Sequence, residues 1–233
     1  MPRLKHGSPT TFGLMANSPY LTAPVKSESM PKGIPYIIGN EAAERFSFYG
    51  MRSVLFIFMT TYLMQPSGTL DTYTDQEAKK WVHYFVASAY FFPVIGALIS
   101  DSLWGKYRTI ITLSLVYCAG HACLAFMGVM GDTKAWLIGG LLLIAVGSGG
   151  IKPCVSAHVG DQFGKSNGFL LSKVFGWFYF SINLGAFLSG MLTPFLLEAS
   201  VGEGMGAKVY PHVQWLVGEK EAGDIIFGPH YAF

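Results

Sequence analysis

Five apolar stretches, at roughly 36–64, 81–101, 109–131, 135–157 and 169–197, set the tightest limit on how this chain folds. A helix crosses the ~30 Å hydrocarbon layer with about 20 predominantly apolar residues. A strand of a membrane barrel needs about 10 residues of alternating polarity. The stretches have the first pattern and lack the second, so the expected fold class is an all-α membrane protein. Composition agrees, since 13% of the 233 residues are charged and 51% are hydrophobic, against about 25% charged in a soluble domain.

Flanking segments give the order. Residues 1–35 hold six prolines, many Ser and Thr, and no apolar run of signal-peptide length. They are predicted to be a disordered tail without a cleavable secretory signal. A polar, glycine-rich loop is expected over 198–229. A new apolar run starts at His230, so the chain reads as about five transmembrane helices and the start of a sixth, a fragment of a longer protein.

Loop charges orient the bundle. Arg3, Lys5, Lys26, Lys32, Lys106, Arg108, Lys165 and Lys173 fall on one side. Lys79, Lys80, Lys134, Lys208 and Lys220 fall on the other, with most of the acids. The positive-inside bias therefore predicts a cytoplasmic amino terminus. The net charge of +2 is uninformative about nucleic acid, but no basic run of the usual kind appears, so no nucleic-acid partner is expected. Cys118, Cys123 and Cys154 sit in apolar segments without CxxC or Cys/His ligand spacing, so neither a disulfide framework nor a metal site is expected.

The first span is unusual in carrying ions. Glu41, Glu44, Arg45, Phe48 and Arg52 fall within about a 100° arc of one helix, so a single stripe holds every charge. Each ionisable group at membrane depth costs roughly 2.5–3.5 kcal/mol on insertion scales. Such a stripe either pairs its charges around a wet cavity or lies at headgroup level as an anchor. Further on, Lys152 precedes Pro153 and follows Gly147-Ser-Gly-Gly. It is read either as an intramembrane cation or as a lysine snorkelling from a kinkable helix. The glycine run lacks the preceding strand and spacing of a nucleotide loop.

Between the second and third spans the chain reads Asp101-Ser-Leu-Trp-Gly-Lys106-Tyr-Arg108-Thr109. An acid closing one helix, a glycine turn and two cations opening the next resemble the loop signature of the major facilitator superfamily. Asp101 is placed to pair with a neighbouring cation or helix end and latch the inner face; an ordinary topogenic turn is the other reading. The stretch Glu41-x-x-Glu44-Arg45-Phe46-x-x-Tyr49-Gly50 closely resembles the first-helix motif of the proton-dependent oligopeptide transporters of that superfamily. Gly147-Ser-Gly-Gly-Ile-Lys152-Pro153 and Phe178-Tyr-Phe-Ser-Ile-Asn183-Leu-Gly185 are similar to two further family motifs. The similarity runs from about Pro35 to Pro194, with four motifs in order.

The resemblance implies a partial major facilitator bundle, residues 36–233 forming the truncated N-terminal half. It implies proton-coupled symport of di- and tripeptides by alternating access, in a bacterial cytoplasmic membrane or a plasma membrane. A secondary active transporter of this kind is not an enzyme and uses no cofactor, only a proton gradient. Its partners would be peptides, protons, membrane lipid and the missing C-terminal half of the same transporter. Proton coupling is carried over to Glu41, Glu44, Arg45 and Lys152, with His83 matching a histidine of the animal-type branch. Substrate binding is carried over to Arg45, Arg52, Tyr49, Tyr90, Lys152 and Asn183, and the inner gate loop to Asp101, Lys106 and Arg108. A guanidinium fork suits a peptide carboxylate. Phe48 stands where many relatives carry a tyrosine, which removes one hydroxyl.

Read alone, Tyr90 fits a core tyrosine, Asn183 a helix-packing hydrogen bond and His83 an interfacial residue; His121 and His158 read as structural. Gly139, Gly140, Gly185, Ala186, Ser189 and Gly190 suit close helix approach. A related carrier of nitrate or another small solute, and a non-transporting membrane sensor, stay open as alternatives. An intramembrane hydrolase has no Ser/His or paired-Asp arrangement behind it.

Overall fold

The computed structural model describes residues 23–24, 26–129 and 131–201. Residues 1–22 of the expected tail, 202–229 of the expected loop and the run beginning at His230 lie outside the described residues. Five long helices follow in order: α1 (Ile34–Ile57), α2 (Asp75–Ile99), α3 (Lys106–Phe126), α4 (Thr133–Asp161) and α5 (Leu171–Val201). Single π-helical turns, Phe58–Tyr62 and Ser100–Trp104, extend α1 and α2, and a 3-10 turn, Gly168–Leu170, leads into α5. The described residues contain no strand beyond an isolated bridge between Met64 and Leu70.

Four segments, Asp75–Trp104, Lys106–Phe126, Thr133–Asp161 and Gly168–Leu196, are long and apolar enough to cross a membrane. The helix α1 matches them in length, with 24 residues before its π turn, but its ionic stripe dilutes its hydropathy.

Local chemistry fixes where the helices begin. The start of α2 lies six residues before the apolar run at 81, because Thr74 and Glu77 form a capping box. The Thr74 N–H donates to Glu77 Oε2 at 3.0 Å and the Glu77 N–H to Thr74 Oγ1 at 3.4 Å. Asp132 caps α4 by accepting from the Lys134 N–H at 3.1 Å. Gly105, at φ 75°, makes the left-handed turn between α2 and α3 that a side chain would strain. The prolines at 35, 93, 153 and 194 all lie within helices, the first in the opening turn of α1 where no N–H is missed.

The central element is α4, the most enclosed of the membrane-length helices, packed on α3 and α2 and reaching α1; α5 packs on α1. The α2–α4 crossing is backbone on backbone, since a Cβ added at Gly96 would stand 2.2 Å from the Gly150 carbonyl oxygen. Gly185 meets the Ala42 carbonyl of α1 in the same way. Gly140 packs on α3 and Ser189 is buried, whereas Gly139 and Gly190 face open space because they lie on other sides of their helices.

Two apolar cores result. One joins Met51, Leu55, Phe58, Phe85, Leu137 and Ile144 toward the 63–74 loop. The other joins Ile34, Leu113, Val155, Val159, Val174 and Phe178 at the opposite end. Residues 41–45 of α1 and 148–152 of α4, which carry Glu41, Glu44, Arg45 and Lys152, lie where the two cores meet.

The described end of the tail is packed. Ser166 Oγ donates to the Ser27 carbonyl at 2.8 Å and the buried Asn167 Nδ2 donates to the Ser29 carbonyl at 3.2 Å. Tyr107, His158, Gln162 and Phe163 join this segment around a cavity of about 950 Å³.

Candidate functional site

The buried ions of α1 assemble around one guanidinium. Arg45 Nε donates to Glu41 Oε1 at 2.8 Å, one turn back on the same face, and lies 2.7 Å from Glu44 Oε2. The Arg45 and Glu41 side chains are 5% and 7% exposed, and that of Glu44 10%. The other Glu44 oxygen, Oε1, accepts from Ser148 Oγ of α4 at 2.5 Å. Glu44 Oε2 is buried with no hydrogen bond of its own, so the nearby guanidinium holds it by charge alone.

Glu44 lies ten residues into α1, about 15 Å along its axis.

Lys152 stands one turn after Ser148 on α4, half-buried. Its Nζ lies over the ring of Phe48, 5.3 Å from the centroid, and over that of Tyr90, 5.5 Å away. The guanidinium of Arg45 reaches the same Phe48 ring at 6.0 Å. Phe48 thus gives two cations a ring face, where a tyrosine would add a hydroxyl. Tyr90 is an exposed tyrosine of α2, and the core-tyrosine alternative does not describe it.

The remaining predicted residues are distributed more widely. Arg52 is exposed two turns beyond Arg45 on the same stripe, and Tyr49 packs edge-on against Phe48 with centroids 5.5 Å apart. Asn183 is exposed on α5 and its Nδ2 donates to the Tyr179 carbonyl of its own helix at 2.7 Å, a local bond. His83 is exposed near the start of α2, seven residues and about 10 Å along the axis from Tyr90. Neither is brought to the Glu44–Lys152 cluster. In the loop after α2, Asp101 and Arg108 are exposed, and Lys106 Nζ pairs with Asp161 at the end of α4 at 2.6 Å. The loop's cation therefore ties α3 to α4.

Three polar partners escaped the sequence analysis. Ser148 lies inside the quoted glycine run, and its four-residue spacing from Lys152 was the available signal. Tyr117 of α3 shares a 2.6 Å hydrogen bond with Ser47 and donates to the Glu44 carbonyl at 3.3 Å. It braces the backbone of α1 at the site. Nothing in the local sequence distinguishes Tyr117 or Ser47 from ordinary helix residues. Among the described residues, no group of three or more His, Cys, Asp or Glu side chains could hold a metal ion.

A bundle of long apolar helices with charges paired in its interior has the major facilitator fold of the solved transporters it matches. The POT family profile matches residues 107–211. Peptide transporter family 1 of Drosophila melanogaster is 46% identical over 170 residues, which are 71% of this chain and 22% of that protein. Human solute carrier family 15 member 1 is 37% identical over 195 residues, 78% of this chain and 26% of that protein. The crystal structure of the POT family transporter PepTSo matches at TM-score 0.66 with 44% identity, covering 79% of this chain and 35% of that one. A second proton dependent oligopeptide family transporter matches at 0.61 with 44% identity, over 75% of this chain and 36% of its own. The chain belongs to the POT family. It spans about a quarter of the length of the curated relatives it matches.

Proposed function

We propose that this chain forms the N-terminal part of a proton-coupled symporter of di- and tripeptides that works by alternating access. The observation that carries the reading is the shared guanidinium: two buried carboxylates compete for Arg45 in the middle of a membrane helix, with Lys152 close by. When a proton neutralises Glu44, its attraction for Arg45 and Lys152 is lost, and both cations are released toward a peptide carboxylate or another partner. Arg45, Arg52 and Lys152 would offer that carboxylate a positive surface. Tyr49 and Tyr90 would line the same space, with Asn183 joining them once a peptide is bound, and His83 would serve proton entry. Asp101, Lys106 and Arg108 would form an inner gate, with Lys106 passing between Asp161 and another acid as the gate moves. The amino terminus would be cytoplasmic, in a bacterial cytoplasmic membrane or a plasma membrane, and the proton gradient would drive transport without a cofactor.

Uptake of a labelled dipeptide by the complete transporter in proteoliposomes, with and without an inward proton gradient, tests this. Gradient-dependent accumulation is expected, and Glu44→Gln is expected to reduce it to the level seen without a gradient while peptide exchange continues. Absence of pH-dependent dipeptide uptake would remove the proposal and favour a carrier of another small solute.

A further inference from the structure

We propose that Ser148 is a positioning residue for proton carriage, its buried hydroxyl serving Glu44 in both protonation states; this rests on the function proposed above. An ionised carboxylate only accepts hydrogen bonds, whereas a protonated one must also donate. A serine hydroxyl both donates and accepts, and it rotates between the two roles without moving its oxygen. Ser148 is fully buried, and its Oγ lies 2.5 Å from Glu44 Oε1.

The position has little slack. Gly147 of α4 is packed on the Tyr117 backbone of α3, and Gly150 on the Gly96 backbone of α2. With α4 wedged between those helices, the hydroxyl is held at a fixed height opposite α1.

The groups facing the Glu44 carboxyl can be enumerated among the described side chains. Glu41 and Arg45 come from α1, and Ser148 and Lys152 from α4. On α3, Tyr117 and the Ser47 it bonds address the Glu44 backbone carbonyl. On α2, Tyr90 lies against Lys152, and on α5, Lys173 lies over Trp177. Ser148 is thus the neutral donor to this carboxyl, and the one partner that can follow the proton on and off.

The hydroxyl bonds the ionised carboxylate more strongly than the neutral acid, so removing it costs the charged form more and protonation becomes easier. The sign is alkaline: in the complete transporter, Ser148→Ala is expected to move the midpoint of proton-driven dipeptide uptake to higher pH by about one unit, a tenfold change in proton affinity. Ser148→Cys, of nearly the same size but a weak donor, is expected to fall between wild type and Ala. Peptide exchange without a gradient should persist in both, which separates this effect from misfolding. In a Glu44→Gln background, Ser148→Ala is expected to change the pH profile no further.

An unshifted midpoint in both serine variants, or a shift that survives in the Glu44→Gln background, would overturn the role of Ser148 alone. If Glu44→Gln by itself kept the full wild-type pH dependence, the coupling role of Glu44 would fail, and this proposal with it.

Discussion

Ion pairs of nearly equal length stand in two settings in this protein. In the interior of the bundle, Arg45 lies 2.7–2.8 Å from Glu41 and Glu44, with every partner at most 10% exposed. Beyond the C-terminal end of α1, Lys134 Nζ meets Asp71 at 2.6 Å with side chains 29% and 37% exposed. There Gln65 Nε2 also donates to Asp71 Oδ2 at 2.6 Å, and Lys134 lies over the Tyr73 ring. Distance alone would rank the second pair stronger. Burial reverses the order, because water and salt screen the second pair, while a buried charge stripped of its partner has nothing to replace it.

The largest effect should come from Arg45→Ala, which leaves two carboxylates buried without their cation. A loss of about 3–5 kcal/mol is expected, read as a lower unfolding temperature of the detergent-purified complete transporter and as lost uptake. Stability equal to wild type would erase the contrast between the two settings. Next, Gly96→Ala puts a methyl against the Gly150 carbonyl, and the α2–α4 crossing must open, at a cost of about 1–3 kcal/mol by thermal unfolding. This change uses no charge and so separates packing from electrostatics within the same bundle.

Phe48→Leu keeps the volume largely apolar but removes the ring face beneath Lys152 and Arg45. A stability loss of about 0.5–2 kcal/mol is expected, and Phe48→Tyr should restore it.

The smallest effect belongs to Asp71→Asn. The hydrogen bond from Lys134, and then that from Gln65, hold the Asp71 carboxyl below its ordinary value. Its contribution is therefore present above that ordinary value and is lost as pH falls through the depressed one. Hydrogen exchange in residues 63–73 should quicken in the variant, or in wild type at strongly acid pH, with the global unfolding temperature unchanged. Raising salt should loosen this loop and leave Arg45 protected; equal sensitivity would mean that the inner cluster is wetter than its burial implies.

Much of this was legible in the chain itself. The spans follow from runs of apolar residues, and the stripe of Glu41, Glu44, Arg45 and Arg52 follows from helical spacing. The α2 start was missed because its first turn is polar and its signal is the Thr74–Glu77 cap. Ser148 was missed because a serine among glycines reads as packing until the facing residue is known. In the loop after α2, Lys106 finds Asp161, 55 residues on, since α3 and α4 run side by side.

The sequence by itself determined that the chain is an all-helical membrane bundle and that its ions share one face of α1, because both depend on local periodicity and on the cost of placing charge in hydrocarbon. Only the tertiary structure decided which ion meets which: Glu44 with Ser148, Lys152 with Phe48 and Tyr90, Lys106 with Asp161. Those partners sit on different helices, and their meeting depends on how closely glycine-bearing backbones approach, a distance that helical periodicity does not encode.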